Sequence, residues 1–77
     1  MSGGEELGPA DLELLVWLAR GYDVAGIAAR TYFSVGWIYA RLRRVRDLLG
    51  VRTNVGAVVE GLRLGLVGMP GEEEMWR

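Results

Sequence analysis

Apolar residues recur along this chain at helical spacing in four blocks, separated by glycines and short polar breaks. After Leu7-Gly8-Pro9, the residues Leu12, Leu15, Leu18 and Ala19 share one face of a first helix. Pro9 suits its first turn, Asp11 and Glu13 stand where the helix dipole favours negative charge, and Gly21 stops it. Asp23 is the N-cap of a short second helix, Val24 to Arg30, that buries Ile27 and Ala28. Its small residues Ala25, Gly26, Ala28 and Ala29 allow another helix to come close. Thr31-Tyr32-Phe33 forms a turn with Phe33 as its buried aromatic. Ser34 then caps a third helix that runs to about Leu49 and ends at Gly50.

The third helix has the clearest sidedness. Ile38, Leu42, Val45 and Leu49 fall within a narrow arc, and Gly36, Ala40, Arg43 and Asp47 point directly away from it. Tyr39 and Arg46 occupy one flank; Trp37, Arg41 and Arg44 occupy the other. Val51-Arg52-Thr53 connects to a fourth helix, capped by Thr53 and spanning Asn54 to about Leu66. This helix is apolar on more than one side, with Ala57, Gly61 and Leu64 on one and Val55, Val59, Leu62 and Leu66 on another. In an isolated small domain it leaves apolar surface in water, which calls for a partner. The pattern predicts an all-α chain with one domain over 7–67, a flexible N-terminal tail over 1–6 and an acidic Pro/Gly/Glu tail over 68–77.

Composition changes this picture in two ways. The 77 residues include no cysteine and no histidine, which removes disulfides, thiolate metal sites, the commonest metal ligand and the commonest general base. With few hydroxyl side chains besides, no nucleophile–base set can be assembled, so neither an enzyme nor a cofactor is expected. No apolar run approaches the ~18 residues needed to span a bilayer. The first residues lack the basic and apolar segments of a signal peptide, and the expected compartment is the cytoplasm.

The formal net charge of −1 argues against a polyanionic partner until its distribution is considered. Between Trp37 and Asn54 stand five arginines and one acid, a local balance of +4. The acids gather at the ends, with Glu5, Glu6, Asp11 and Glu13 at one and Glu72, Glu73 and Glu74 at the other. Local charge sets the field at a contact surface. The absence of lysine fits bidentate arginine contacts and equally a GC-rich coding bias.

Helix, short helix, tight turn and basic helix in this order follow helix-turn-helix logic. Leu7-x-Pro9-x-Asp11-Leu12-Glu13-Leu14-Leu15 with Leu18-Ala19-Arg20-Gly21 resembles the opening of LuxR/GerE-type DNA-binding domains. Ile27-Ala28 and Phe33-Ser34 are similar to their second helix and turn. Leu49-Gly50-Val51-Arg52-Thr53, Ala57-Val58 and Leu62-Arg63-Leu64-Gly65-Leu66 are similar to their ending. The resemblance spans residues 7–66 without a gap. Ser34-Val35-Gly36 and Arg41-Leu42 also resemble region 4 of bacterial sigma factors, a related helix-turn-helix. The chain departs from the LuxR pattern at Trp37 (usually threonine), Arg41 (usually histidine), Gly36 (usually a long polar residue) and Asn54 (often arginine).

The resemblance implies a four-helix, stand-alone domain of bacterial or phage origin that regulates transcription. Its third helix would enter the major groove, with Tyr39, Ala40 and Arg43 facing bases. Trp37, Arg41, Arg44 and Arg52 would lie near phosphates, joined by Arg46 of the same basic segment. The fourth helix would supply a homodimer contact through Val55, Val59, Leu62 and Leu66. Several alternatives stay open. Trp37 either donates to a phosphate, stacks on Arg41 or packs at the core edge, and Tyr39 meets either nucleic acid or protein. The apolar side of the fourth helix is covered either by a second subunit or by Met75 and Trp76. The Glu72-Glu73-Glu74 run is either a solvated tail or a cover for the basic face. The rival to duplex DNA binding is a protein-interaction module of the same fold that contacts RNA polymerase, a sigma factor or another regulator.

Overall fold

In a computed structural model, residues 6–68 are described; the expectations placed on Met75, Trp76 and the Glu72-Glu73-Glu74 run lie outside them. The described residues form four helices and no strand: α1 (Pro9–Ala19), α2 (Val24–Arg30), α3 (Val35–Leu49) and α4 (Asn54–Arg63). None is long and apolar enough to cross a membrane.

Local chemistry sets the helix starts. The side chains of Asp23, Ser34 and Thr53 accept from the backbone N–H three residues ahead, at Gly26 (2.8 Å), Trp37 (3.1 Å) and Gly56 (2.9 Å). The break between α2 and α3 is held by Thr31. Its hydroxyl donates to the Ile27 carbonyl at 2.8 Å and accepts from the Phe33 N–H at 3.2 Å. Phe33 is only partly buried, and Tyr32 beside it is fully exposed.

The core has two lobes. Leu14, Val24, Ile27, Ile38 and Leu42 form one; Leu15, Val45, Ala57 and Val67 form the other. α1 and α3 feed both lobes, so they make the middle of the molecule. α2 closes one end and α4 the other. Because α1 packs on two sides, its buried pair is Leu14 and Leu15, while the expected Leu12, Leu18 and Ala19 are partly buried. In α3 the periodicity holds: Ile38, Leu42 and Val45 are fully buried, and Gly36, Ala40, Arg43 and Asp47 are exposed. In α2, Val24 joins Ile27 in the core, whereas Ala25 and Ala29 face outward and bring no helix close.

α4 is shorter than its apolar pattern predicts. It stops at Arg63, where Gly65 takes φ +74 and the Leu66 and Gly65 N–H groups turn back to the Gly61 and Leu62 carbonyls (2.8 and 3.1 Å). This is a Schellman ending, which needs a left-handed residue that glycine supplies without strain. The reversal drives Val67 into the second lobe against Gly61. A Cβ at Gly61 would sit 3.4 Å from both the Leu15 and Val67 side chains, so α4 approaches α1 closely at that point. Leu66 therefore lies past the helix, and Leu64 is exposed rather than on a buried side.

Candidate nucleic-acid interface

The outward face of α3 is formed by Gly36, Tyr39, Ala40, Arg43 and Asp47. Tyr39 is 59% exposed, and a Cβ at Gly36 would meet nothing within 4 Å. Arg43 makes no ion pair among the described residues. A partner approaching this face meets small residues at Gly36 and Ala40, Arg43 on the same arc and Tyr39 on its flank.

The flank of α3 nearest α1 is built differently. Asp11 has no solvent exposure at all. Its Oδ1 accepts from Arg41 Nε at 3.0 Å, and its Oδ2 accepts from Arg44 Nη1 at 2.7 Å and from the Gly8 N–H at 2.8 Å. Burying a carboxylate is costly unless charge and hydrogen bonds compensate, and here they do. Arg44 Nη2 also donates to the Glu6 carbonyl at 3.0 Å. The Arg41 guanidinium lies 5.3 Å from the centre of the Trp37 ring, which in turn stacks on Phe33 at 4.3 Å. Trp37 thus packs at the edge of the first lobe and supports Arg41 at the same time.

Two more of the arginines have different fates. Arg46 Nη1 donates to Asn54 Oδ1 at 2.6 Å, which ties α3 to the start of α4. Arg52 is exposed on the connection between them. The basic segment is therefore less bare than its sequence implies. Asp11, brought in from α1, lowers the local balance from +4 to +3. Asp11 is also the residue that pattern reading overlooked, because a first-turn acid already has an explanation in the helix dipole. The missed signal is its spacing: three and four residues before Leu14 and Leu15, it shares their buried face.

A second feature lies where the end of α1 and the turn into α2 meet α4, with Tyr39 of α3 at its side. A cleft of about 560 Å³ is lined by Leu18, Tyr22, Val24, Tyr39, Val55 and Val59, among others. Val55 and Val59 are 74% and 57% exposed. Of the four residues expected at a dimer contact, these two form an apolar patch on α4. Leu62 packs partly against the second lobe, and Leu66 is exposed beyond the helix end. On the polar side of α4, the hydrogen bond from Arg63 holds the Glu60 carboxyl below its ordinary value.

Compared with known proteins, the sequence matches no protein family, no curated protein and no solved structure.

Proposed function

We propose that this chain is a helix-turn-helix protein of LuxR/GerE type that binds duplex DNA with α3 in the major groove and regulates transcription. The observation that carries the reading is the open outward face of α3, where Gly36 and Ala40 are small and Arg43 makes no ion pair among the described residues. A helix with its side chains is ~10–12 Å across and the major groove ~12 Å wide, so small residues on the leading face let the backbone come close to base edges. Arg43 is the candidate guanine reader, Tyr39 and Ala40 face bases beside it, and Arg52 and the Arg41 flank meet the sugar–phosphate strands. The helix-turn-helix pair is α2 and α3, joined through the Thr31 lock. The exposed Val55–Val59 patch supports homodimerisation through α4, which would favour an inverted-repeat site.

Fluorescence anisotropy with a mixed-sequence duplex at low and moderate salt tests this. Binding at low salt that weakens as salt rises is expected. An absence of binding at low salt would refute the DNA reading.

One observation favours a second reading. The cleft beside Tyr39, with Val55 and Val59 on its rim, is apolar enough to seat a side chain of another protein, and Asp11 and Asn54 engage three of the arginines. On that reading the same fold docks onto RNA polymerase, a sigma factor or another regulator. Retained binding to such a partner by a chain that ignores duplex DNA would select it.

A further inference from the structure

Building on the DNA reading, we propose that Asp11 and Trp37 are positioning residues that hold Arg41 as a preset clamp for a phosphate oxygen of the duplex backbone. An arginine presents five N–H donors in one plane. The Nε edge of Arg41 is used by Asp11 Oδ1, while its two Nη groups make no hydrogen bond among the described residues. The side chain is 33% exposed, and no side-chain nitrogen among the described residues is both buried and unbonded, so those donors reach solvent. The guanidinium carbon of Arg41 lies over the Trp37 ring, 5.3 Å from its centre, and that ring is stacked on Phe33. The side chain thus has a hydrogen-bond partner and an aromatic neighbour before any ligand arrives. A flexible surface arginine loses rotamer freedom on binding; the bond to Asp11 and the Trp37 ring restrict Arg41 in the free protein and reduce that loss.

The location suits a strand contact rather than a base contact. Arg41 lies on the flank of α3 that faces α1, well around the helix from Ala40 and Arg43. A helix seated in the groove turns its flanks toward the sugar–phosphate walls, where charge-assisted bonds from arginine fix register without reading sequence. Arg44, one turn along, is built for another task. Its two Nη groups go to Asp11 and to the Glu6 carbonyl, which ties α3 to α1 and to the chain before it. The assignment separates two arginines that look equivalent in the sequence: Arg41 holds the DNA, and Arg44 holds the fold.

The test exploits a conflict of sign. If Asp11 merely neutralises the basic flank, Asp11→Asn removes a negative charge beneath two cations and should strengthen DNA binding. If Asp11 positions Arg41, the same change loosens the clamp and weakens binding. Anisotropy titrations of the full chain on mixed-sequence duplex, across several salt concentrations, distinguish the two. Expected are a weakening of about five- to tenfold for each bound copy of Asp11→Asn, the same on every sequence, and a fall in the salt slope of ~0.9 for the one phosphate contact each copy loses, so ~1.8 for a dimer. A loss of folded fraction alone lowers affinity without changing the slope, so the slope separates positioning from stability. Arg41→Lys keeps the charge but has no fork to hold against Asp11, and it should show the same weakening. It leaves Asp11 paired with Arg44 and so serves even where Asp11→Asn does not fold. Wild-type binding together with unchanged or tighter binding by either folded variant overturns the clamp and leaves the DNA reading standing. Failure of the wild type itself to bind overturns both.

Discussion

Replacing Asp11 by alanine should damage the fold far more than a surface acid has a right to. The carboxylate receives two charge-assisted bonds, from Arg41 and Arg44, and one backbone bond from Gly8. Charge-assisted bonds contribute ~1.5–3 kcal/mol each when buried. Both arginine side chains are about a third exposed (33% and 31%), so each regains water on truncation, and the lower figure applies. Losing the acceptor for the Gly8 N–H at the start of α1 costs about 0.5–1 kcal/mol more, in line with other N-terminal capping losses. Relief of the buried carboxylate's desolvation offsets part of this, leaving a net loss of roughly 2–4 kcal/mol. For a domain of this size, that corresponds to a fall in Tm of roughly 10–30 °C. The measurement is a thermal melt followed by far-UV circular dichroism, with a urea titration as a check. Glu13→Ala is the control, because Glu13 is exposed on the same helix and makes only a 3.3 Å bond with the Trp17 indole. It should move stability by less than ~0.5 kcal/mol. An Asp11→Ala protein that melts within a few degrees of the Glu13→Ala control would show that the Asp11 pairs do not join α1 to α3.

Three further outcomes are expected. Arg43→Ala should relax sequence preference at one base-pair position by about 1–3 kcal/mol in competition titrations, while Arg52→Ala weakens all sequences alike; unchanged preference in the Arg43 variant would remove Arg43 as the reader. Val59→Asp places a charge on the exposed patch of α4 and should leave the melt nearly unchanged but give a monomer in sedimentation, whereas the wild type sediments as a dimer; a wild-type monomer at high concentration would refute the dimer. Gly65→Ala forces a left-handed conformation on alanine and should cost about 1–2 kcal/mol by loosening the turn that seats Val67; no change in melting would mean that the turn does not hold the second lobe.

The parts of this fold that were legible in the sequence are those decided by near neighbours. Asp23, Ser34 and Thr53 cap their helices through bonds to residues three positions away, so residue type and position suffice. The α3 core face is readable because Ile38, Leu42 and Val45 keep helical period while arginines, Asp47 and the small residues Gly36 and Ala40 take the other sides. α1 offered no such contrast. Val16, Trp17 and Leu18 make it apolar nearly all round, and only the two-sided packing selects Leu14 and Leu15. The end of α4 was misplaced because Leu64 and Leu66 extend the apolar pattern past a glycine that reverses the chain. The site divides in the same way. The outward placement of Ala40 and Arg43 follows from helical period alone. The partners of Arg41 and Arg44 stand 30 and 33 residues back in the chain, a pairing that no local pattern contains.

These pairings also determine how strongly such a surface can hold a polyanion. Of the four arginines on α3, Arg44 and Arg46 bond to groups of the chain itself, and Arg43 is the one proposed to read a base. On the proposed reading, the phosphate contacts of one copy come mainly from Arg41 and Arg52. Two neutralised phosphates give a slope of log affinity against log salt of about −2, and a dimer with both α3 helices engaged gives about −4. The slope therefore reports stoichiometry as well as charge. A value near −4 that falls to about −2 in Val59→Asp would tie dimerisation to DNA contact in a single measurement. A much steeper wild-type slope would require Arg44 and Arg46 to leave Asp11 and Asn54 on binding. Releasing Arg44 would strip Asp11 of one of its two charge partners and loosen α1 from α3, so such binding would come with a less stable fold.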